Sequence, residues 1–280
     1  MPASKAVATT NQDAAQLVSA VRRAKVKSQT FSMLGAPWAQ RAWRLVRSGQ
    51  LGDLVGLHCD LLFAKGLTGT ADLSRSRREH FPPRRFTFID SKRELFATGV
   101  YSIGLMRWIS EKRVRRVYAQ TANYFFREHQ ANDVEDFSAA TLEFEGNLVG
   151  TLSGGRTGWL SHPGSGPMRL FLIGSRGTQL VDSAQPRLEI SSDAPPWRPG
   201  KPNPADPMGF WMSTIQAMGG VPKLNWSVIS GPAQSDQSSF IDCIEEDRES
   251  DMSVVEGAEI LKVLLAAYQS AATGRPIEIG

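Results

Sequence analysis

The chain has 280 residues, of which 41% are hydrophobic, and it carries a formal net charge of +4. This length allows one large or two ordinary domains with a sizeable core. The weak charge and the lack of a nucleic-acid-binding motif argue against a nucleic-acid partner. No apolar run approaches the roughly 20 residues of a membrane-spanning helix. Residues 1–5 lack the apolar core of a signal peptide, which favours a cytoplasmic location.

The first 52 residues predict a helix, a strand and a second helix. Capping residues precede an amphipathic helix over 11–25. Residues 27–34 predict a short strand, and Pro37 begins a helix that stops in the segment 48–53. This part has no Gly-x-Gly-x-x-Gly between a strand and a helix, the arrangement that holds a dinucleotide pyrophosphate.

From Leu54 onward the pattern predicts mainly strands. They cover residues 54–63, 114–126, 137–144, 148–153, 168–173, 178–182 and 187–191, the last as an edge strand, with a short strand at 277–279. Helices are predicted over 238–245 and 257–270. Residues 65–83 form a long excursion that is either a lid over a site or a mobile surface loop. Cys59 and Cys243 are predicted to be buried free thiols, and no metal-binding spacing is present.

One strongly apolar helix, predicted over residues 93–108, interrupts the strands. Its apolar residues recur at mixed three- and four-residue spacings, which predicts burial of most of its surface. Gly99 and Gly104 leave room for close approach of another group, at about 1 kcal/mol each in helix propensity. Tyr101 is its single phenol.

The segment Gly99-Val100-Tyr101 with Leu105-Met106-Arg107-Trp108 resembles the active-site helix of the Gfo/Idh/MocA oxidoreductases, the glucose-fructose oxidoreductase and inositol dehydrogenase family. The chain's last 43 residues, with Phe240-Ile241-Asp242 and Gly274-Arg275-Pro276-Ile277, also resemble that family's C-termini. The resemblance implies a nicotinamide cofactor, NAD or NADP, and a sugar-like or other small hydroxylated substrate.

The family's helix commonly carries an acidic residue, then a His or Tyr, then often an Asp. These positions fall on Ala97, Tyr101 and Gly104. The resemblance therefore implies that Tyr101 is the general acid or base. The alternative is a core tyrosine whose hydroxyl is satisfied by a backbone carbonyl. A phenol can act as an acid at neutral pH, whereas acting as a base requires a nearby cation. Lys92 and Arg93 lie close enough in sequence to be candidates for that cation.

Four further residues are candidates for substrate binding. Arg156, Trp159 and His162 occur together in one Gly-rich loop. The guanidinium of Arg156 can make two parallel hydrogen bonds to a carboxylate or phosphate. Trp159 offers a flat apolar surface, and His162 can exchange a proton near neutral pH. Arg93 belongs to a basic cluster that could attract an anionic substrate. For both regions, an ordinary solvated surface loop is the alternative.

We therefore expect an α/β chain whose α+β main body is a large, mostly antiparallel open sheet with helices on one face. A remnant of a dinucleotide-binding domain, of partial Rossmann type, is expected over 1–52, and a substrate and oligomerisation domain over 53–280. The expected function is that of a Gfo/Idh/MocA-type oxidoreductase represented mainly by its substrate domain and inactive alone. The alternatives are a non-catalytic binding or assembly module, or a shortened chain without activity. The uncovered sheet face predicts a homo-oligomer.

Overall fold

A computed structural model describes residues 6–63, 69–75, 77–83, 93–157, 168–182 and 235–280, together with the backbone of 187–192 and 224–228. The helices within this part are α1 (Asn11–Ala24), α2 (Pro37–Arg47), α3 (Val100–Ser110), α4 (Arg127–Ala131), α5 (Asp236–Glu245) and α6 (Val254–Thr273). The strands are β1 (Leu54–Phe63), β2 (Val114–Ala122), β3 (Phe137–Phe144), β4 (Val149–Arg156), β5 (Met168–Gly174), β6 (Gly177–Asp182), β7 (Arg187–Ser192), β8 (Leu224–Val228) and β9 (Ile277–Glu278).

The strands form one mixed sheet in the order β8-β7-β6-β5-β1-β4-β3-β2-β9. Only the pairing of β1 with β4 is parallel among these neighbours, so the prediction of a mostly antiparallel open sheet is confirmed. The prediction that residues 187–191 form an edge strand is wrong. β7 pairs with β6 on one side and with β8 on the other, and the sequence pattern had not predicted β8.

Alternation along the strands separates a covered face from an open face. In β2, Val117 and Ala119 are buried beneath α6, and the hydroxyl of Ser270 on that helix accepts a hydrogen bond from the Ala119 backbone N–H. Tyr118, between them, points to the other face and is 38% exposed. This pattern confirms helices on one face and leaves the opposite face without a helix in the described part of the chain.

The first two helices match their predictions, but residues 27–34 do not form a strand. In the described residues this segment joins no ladder, because α5 and the loop at 250–254 lie beside it instead of another strand. The Thr30 backbone N–H donates to Met252 O over 2.8 Å. The segment before α1 packs closely on α6, since a Cβ added at Gly257 would lie 2.3 Å from Val7 Cγ1. The domain boundary near residue 52 stays a prediction.

Cys59 and Cys243 are buried free thiols, as predicted. Burial raises the pKa of Cys59 to about 12, so this thiol is not a nucleophile at neutral pH. None of the described helices combines the length and apolarity needed to cross a bilayer.

Candidate functional site

The helix that carries Tyr101 begins with a wider, π-helical turn at Leu95–Gly99 and continues directly into α3. Such turns occur often at functional sites. The Thr98 hydroxyl donates to Glu94 O over 2.6 Å. Gly154 on β4 lets this turn lie against the sheet, because a Cβ there would be only 2.6 Å from Thr98 Oγ1. The start of the Tyr101 helix is therefore fixed on the sheet by close packing.

A buried ion network lies beside that start. Arg93 Nη1 is 2.9 Å from Glu135 Oε2 and 3.4 Å from Glu79 Oε1. Arg77, from the 65–83 excursion, pairs with Glu79 over 2.7 Å. All four side chains are at most 3% exposed. The hydroxyl of Tyr268 on α6 donates a short hydrogen bond to Glu135, so two arginines, two glutamates and one phenol meet in the core.

Glu135 connects this network to the Tyr101 helix. Its Oε1 accepts the Leu95 backbone N–H over 3.3 Å, while its Oε2 binds Arg93. Burial raises the pKa of Glu135, and the positive charge of Arg93 offsets only part of that effect. Burial, followed by the charge of Glu135, raises the pKa of Tyr268 well above its ordinary value. Tyr268 is thus a protonated hydrogen-bond donor to Glu135 at neutral pH.

The four residues predicted to bind substrate do not form one cluster within the described part of the chain. Arg93 lies in the buried network. Arg156, at the end of β4, is 26% exposed, and its Nε is 3.0 Å from Oε1 of the buried Glu94. Both arginines are therefore anchored by glutamates near the beginning of the helix. Trp159 and His162 lie outside the described residues. The substrate roles of all four residues stay predictions.

Tyr101 lies about two helical turns beyond Arg93 and faces a narrow cavity. The cavity is lined by residues 30–34, by Tyr101 and Leu105 of α3, and by Met252 and Ile260 from the α6 side. Burial raises the pKa of Tyr101, and the negative charge of Asp236 raises it further. The phenol is therefore protonated at neutral pH.

Asp236, the first residue of α5, is the charged group that acts on Tyr101, and the sequence analysis missed it. Its carboxylate accepts the backbone N–H and the hydroxyl of Ser32, each over 2.9 Å. The sequence predicted that this helix begins at residue 238, so Asp236 fell outside it. No local pattern indicated that Ser32 would bind its carboxylate. The cation expected beside Tyr101 does not appear in the described part of the chain. Arg93 is bound to glutamates instead, and Lys92 lies outside that part.

Gly104, one of the two replaced family positions, faces an apolar surface. A Cβ at Gly104 would lie 3.1 Å from Met252 Cε and 3.2 Å from Ile260 Cδ1. A carboxylate at this position would be placed against apolar atoms without a partner, which is costly. The acidic group near Tyr101 therefore comes from α5 and not from the helix of Tyr101 itself.

The starts of α1, α2, α5 and α6 are poorly suited to a dinucleotide pyrophosphate. Phosphates bind at helix N-termini where backbone N–H groups are free and no negative charge is nearby. The first turn of α1 carries Asp13, that of α5 carries Asp236, and that of α6 carries Glu256. α2 begins with a proline, which has no N–H to donate.

Comparisons with known proteins identify both a family and a fold. Residues 39–179, half of the chain, match the model of the GFO/IDH/MocA C-terminal domain. No curated protein matches the sequence.

Solved structures match along almost the whole chain. An oxidoreductase from Agrobacterium radiobacter, in complex with NAD+, L-tartaric acid and magnesium, has a TM-score of 0.68 and 17% identity, over 98% of this chain and 71% of that one. Aldose-aldose oxidoreductase from Caulobacter crescentus, complexed with glycerol, has a TM-score of 0.64 and 19% identity, over 97% and 69%. Levoglucosan dehydrogenase, in complex with NADH and levoglucosan, has a TM-score of 0.68 and 14% identity, over 97% and 71%. At these identities the likeness establishes the fold.

Proposed function

The chain belongs to the Gfo/Idh/MocA oxidoreductase family, and we propose that it supplies the substrate-binding and proton-transfer part of a nicotinamide-dependent reaction on a small hydroxylated compound. The observation that carries this proposal is the position of Tyr101. By the sequence resemblance it corresponds to the family's proton-transfer position, and it lies on a helix that begins with a π-turn and faces a cavity.

The proposed task of Tyr101 is to donate a proton. Interconversion of a carbinol and a carbonyl requires a proton to leave or reach the substrate oxygen. Because the pKa of Tyr101 is raised, its phenol carries a proton at neutral pH and suits the reduction of a carbonyl group. The cavity has a volume of about 10 Å³, room for about one water molecule, so a substrate would have to widen it to bring its reacting group to the phenol.

Arg156 is the described residue best suited to hold the rest of the substrate. Its partial exposure, at the end of β4, lets its guanidinium contact a hydroxyl or carboxylate, while Glu94 fixes its orientation. We propose that Trp159 and His162, which follow in the same loop, share this task. For Arg93 we propose an indirect role, because its side chain is almost wholly enclosed by Glu79 and Glu135.

NAD or NADP is the proposed cofactor, by family and by the NAD and NADH complexes of the neighbours. The starts of α1, α2, α5 and α6 are poorly suited to its pyrophosphate, so we assign no step of the reaction to this chain's contacts with the cofactor. We expect the chain alone to bind NAD(H) or NADP(H) far more weakly than ordinary dehydrogenases do, and to show no turnover.

A ligand titration tests the proposed site without needing turnover. The chain would be labelled with fluorotyrosine and titrated with polyols, aldoses and sugar acids while its four tyrosine signals are followed by NMR, with Tyr101→Phe identifying one signal. We expect a saturable shift of the Tyr101 signal that Arg156→Ala weakens. Tyr124, which is 53% exposed, serves as the internal control. Equal shifts of all signals, or none at millimolar ligand, would refute the proposal.

The acidic helix starts favour a second candidate, a binding or assembly module without catalysis. The two candidates differ when the chain is joined to a working nucleotide-binding half from another family member. An enzyme's substrate domain then supports NAD(P)H oxidation with some carbonyl compound. A binding module holds its ligand without consuming NAD(P)H.

We also propose that the open sheet face pairs with a second copy of the chain. Val149 and Tyr118, on neighbouring parts of this face, are 44% and 38% exposed. A second copy would cover them together with the polar side chains beside them, such as Thr141 and Thr151. Sedimentation should give the mass of a dimer or a larger oligomer, and Tyr118→Glu should lower it. A monomeric mass at every concentration would count against this pairing.

A further inference from the structure

We propose that Asp236 is a positioning residue for Tyr101: its carboxylate holds Ser32 in the wall of the cavity that Tyr101 also lines, and so places a negative charge near the phenol. This inference rests on the proposed function of Tyr101 and adds a residue to it. Asp236 lies 204 residues from Ser32 in sequence, so only the folded chain brings them together.

Both the side chain and the backbone of Asp236 make hydrogen bonds. Its carboxylate oxygens accept the Ser32 N–H and the Ser32 hydroxyl, each over 2.9 Å, and its backbone oxygen accepts Gln29 Nε2 over 2.5 Å. Ser32 lines the same cavity as Tyr101. The start of α5 is thus attached to the cavity wall at three points, which fixes the position of the carboxylate relative to the phenol.

In the described part of the chain, the charged groups on the elements beside the cavity are paired with one another. On the two helices that flank the cavity, Arg107 of α3 is bound to Glu256 of α6 over 2.5 Å, so these charges offset one another. On the segment that forms the wall, Lys27 is bound to Asp247 and Glu249. Burial and the charge of Asp236 both raise the pKa of Tyr101. Both effects oppose loss of the phenolic proton.

This arrangement has a chemical consequence. A phenol that resists ionisation is a competent proton donor at neutral pH, so Tyr101 could protonate a carbonyl oxygen while the nicotinamide cofactor would supply the hydride; in the reverse reaction its phenolate would take the proton back. A carboxylate near the phenol also disfavours an anionic group at that end of the substrate. The reacting end of the substrate is therefore a neutral carbonyl.

The test is a pH titration of the whole chain labelled with 3-fluorotyrosine, whose phenol ionises at lower pH than that of tyrosine. The Tyr101 signal is followed in the wild type and in Asp236→Asn, and circular dichroism checks the fold at each pH. We expect Asp236→Asn to move the Tyr101 titration to lower pH and to leave the exposed Tyr124 unchanged.

Asp242→Asn makes the same change further along α5 and is the matched control, which should leave the Tyr101 titration in place. Asp236→Glu, which keeps the charge, should retain most of the effect and covers the case in which Asp236→Asn does not fold. The inference is overturned if a folded Asp236→Asn chain titrates like the wild type, if Asp242→Asn shifts Tyr101 equally, or if Asp236→Glu shifts it as far as Asp236→Asn. The titration needs no substrate, so it can succeed where the ligand experiment fails, which would leave the Asp236 effect intact and remove the proposed function.

Discussion

Tyr101 and Tyr268 lie on two helices that pack against each other, α3 and α6, yet their surroundings differ. Tyr268 is fully buried, stacks on Phe96 with ring centroids 5.1 Å apart and donates its hydrogen bond to Glu135. Tyr101 is partly buried, faces a cavity and lies under the influence of Asp236. The first phenol completes a structural network, whereas the second lines a small cavity, where we propose that the substrate binds. Residue type alone does not distinguish the two roles.

The largest expected effect concerns the network around Tyr268. Glu135→Ala removes the carboxylate that binds Arg93, the Leu95 N–H and Tyr268, and leaves buried charge and donors with fewer partners. We expect a loss of about 3 kcal/mol in the free energy of unfolding, measured by urea denaturation. Glu143→Ala removes an exposed glutamate paired with Arg116 and should cost about 0.5 kcal/mol or less. Equal losses in the two variants would show that the buried network stabilises the fold no more than an exposed ion pair does.

Tyr268→Phe is the milder change in the same network. It keeps the ring that stacks on Phe96 and removes only the hydroxyl that binds Glu135. The expected loss is about 1 kcal/mol, again from urea denaturation. In contrast to Tyr101→Phe, the variant should leave ligand binding unchanged. A large loss of ligand binding with little loss of stability would reverse the roles assigned to the two phenols.

An effect of similar size tests the packing that fixes the start of the Tyr101 helix. Gly154→Ala places a Cβ against Thr98 Oγ1 and should destabilise the chain by about 1–2 kcal/mol. Thr98→Ala removes that oxygen, so the double variant should be more stable than the sum of the two single changes predicts. Strictly additive values would mean that this contact does not position the turn.

Elements with a strong local pattern could be predicted from the sequence. The strand Leu54–Phe63 and the helix Pro37–Arg47 were placed correctly because periodicity and capping are local signals. The segment 27–34 was predicted wrongly as a strand, because a β-prone run becomes a strand only when another strand lies beside it. The strand Leu224–Val228, at the other end of the sheet, was missed altogether.

The candidate site shows the same limit more sharply. Tyr101 was found through a local motif, but the relation of Asp236 to Ser32 joins residues far apart in sequence. Arg93 was assigned to substrate binding from the charge of its neighbours along the chain. In the fold, Glu79 and Glu135 enclose Arg93. A buried ion network of this kind cannot be predicted from a local sequence pattern.

The most direct measurement is the turnover of Tyr101→Phe against the wild type, in the chain joined to a working nucleotide-binding half, with NAD(P)H and a panel of neutral carbonyl sugars. We predict that the rate of carbonyl reduction falls by about 10²–10⁴-fold while circular dichroism and unfolding remain as in the wild type. Because the pKa of Tyr101 is raised, the wild-type rate should lose this contribution only at alkaline pH, above the ordinary phenol value of about 10. An unchanged rate and pH profile in a folded Tyr101→Phe chain would show that Tyr101 is structural and that the proton comes from another group.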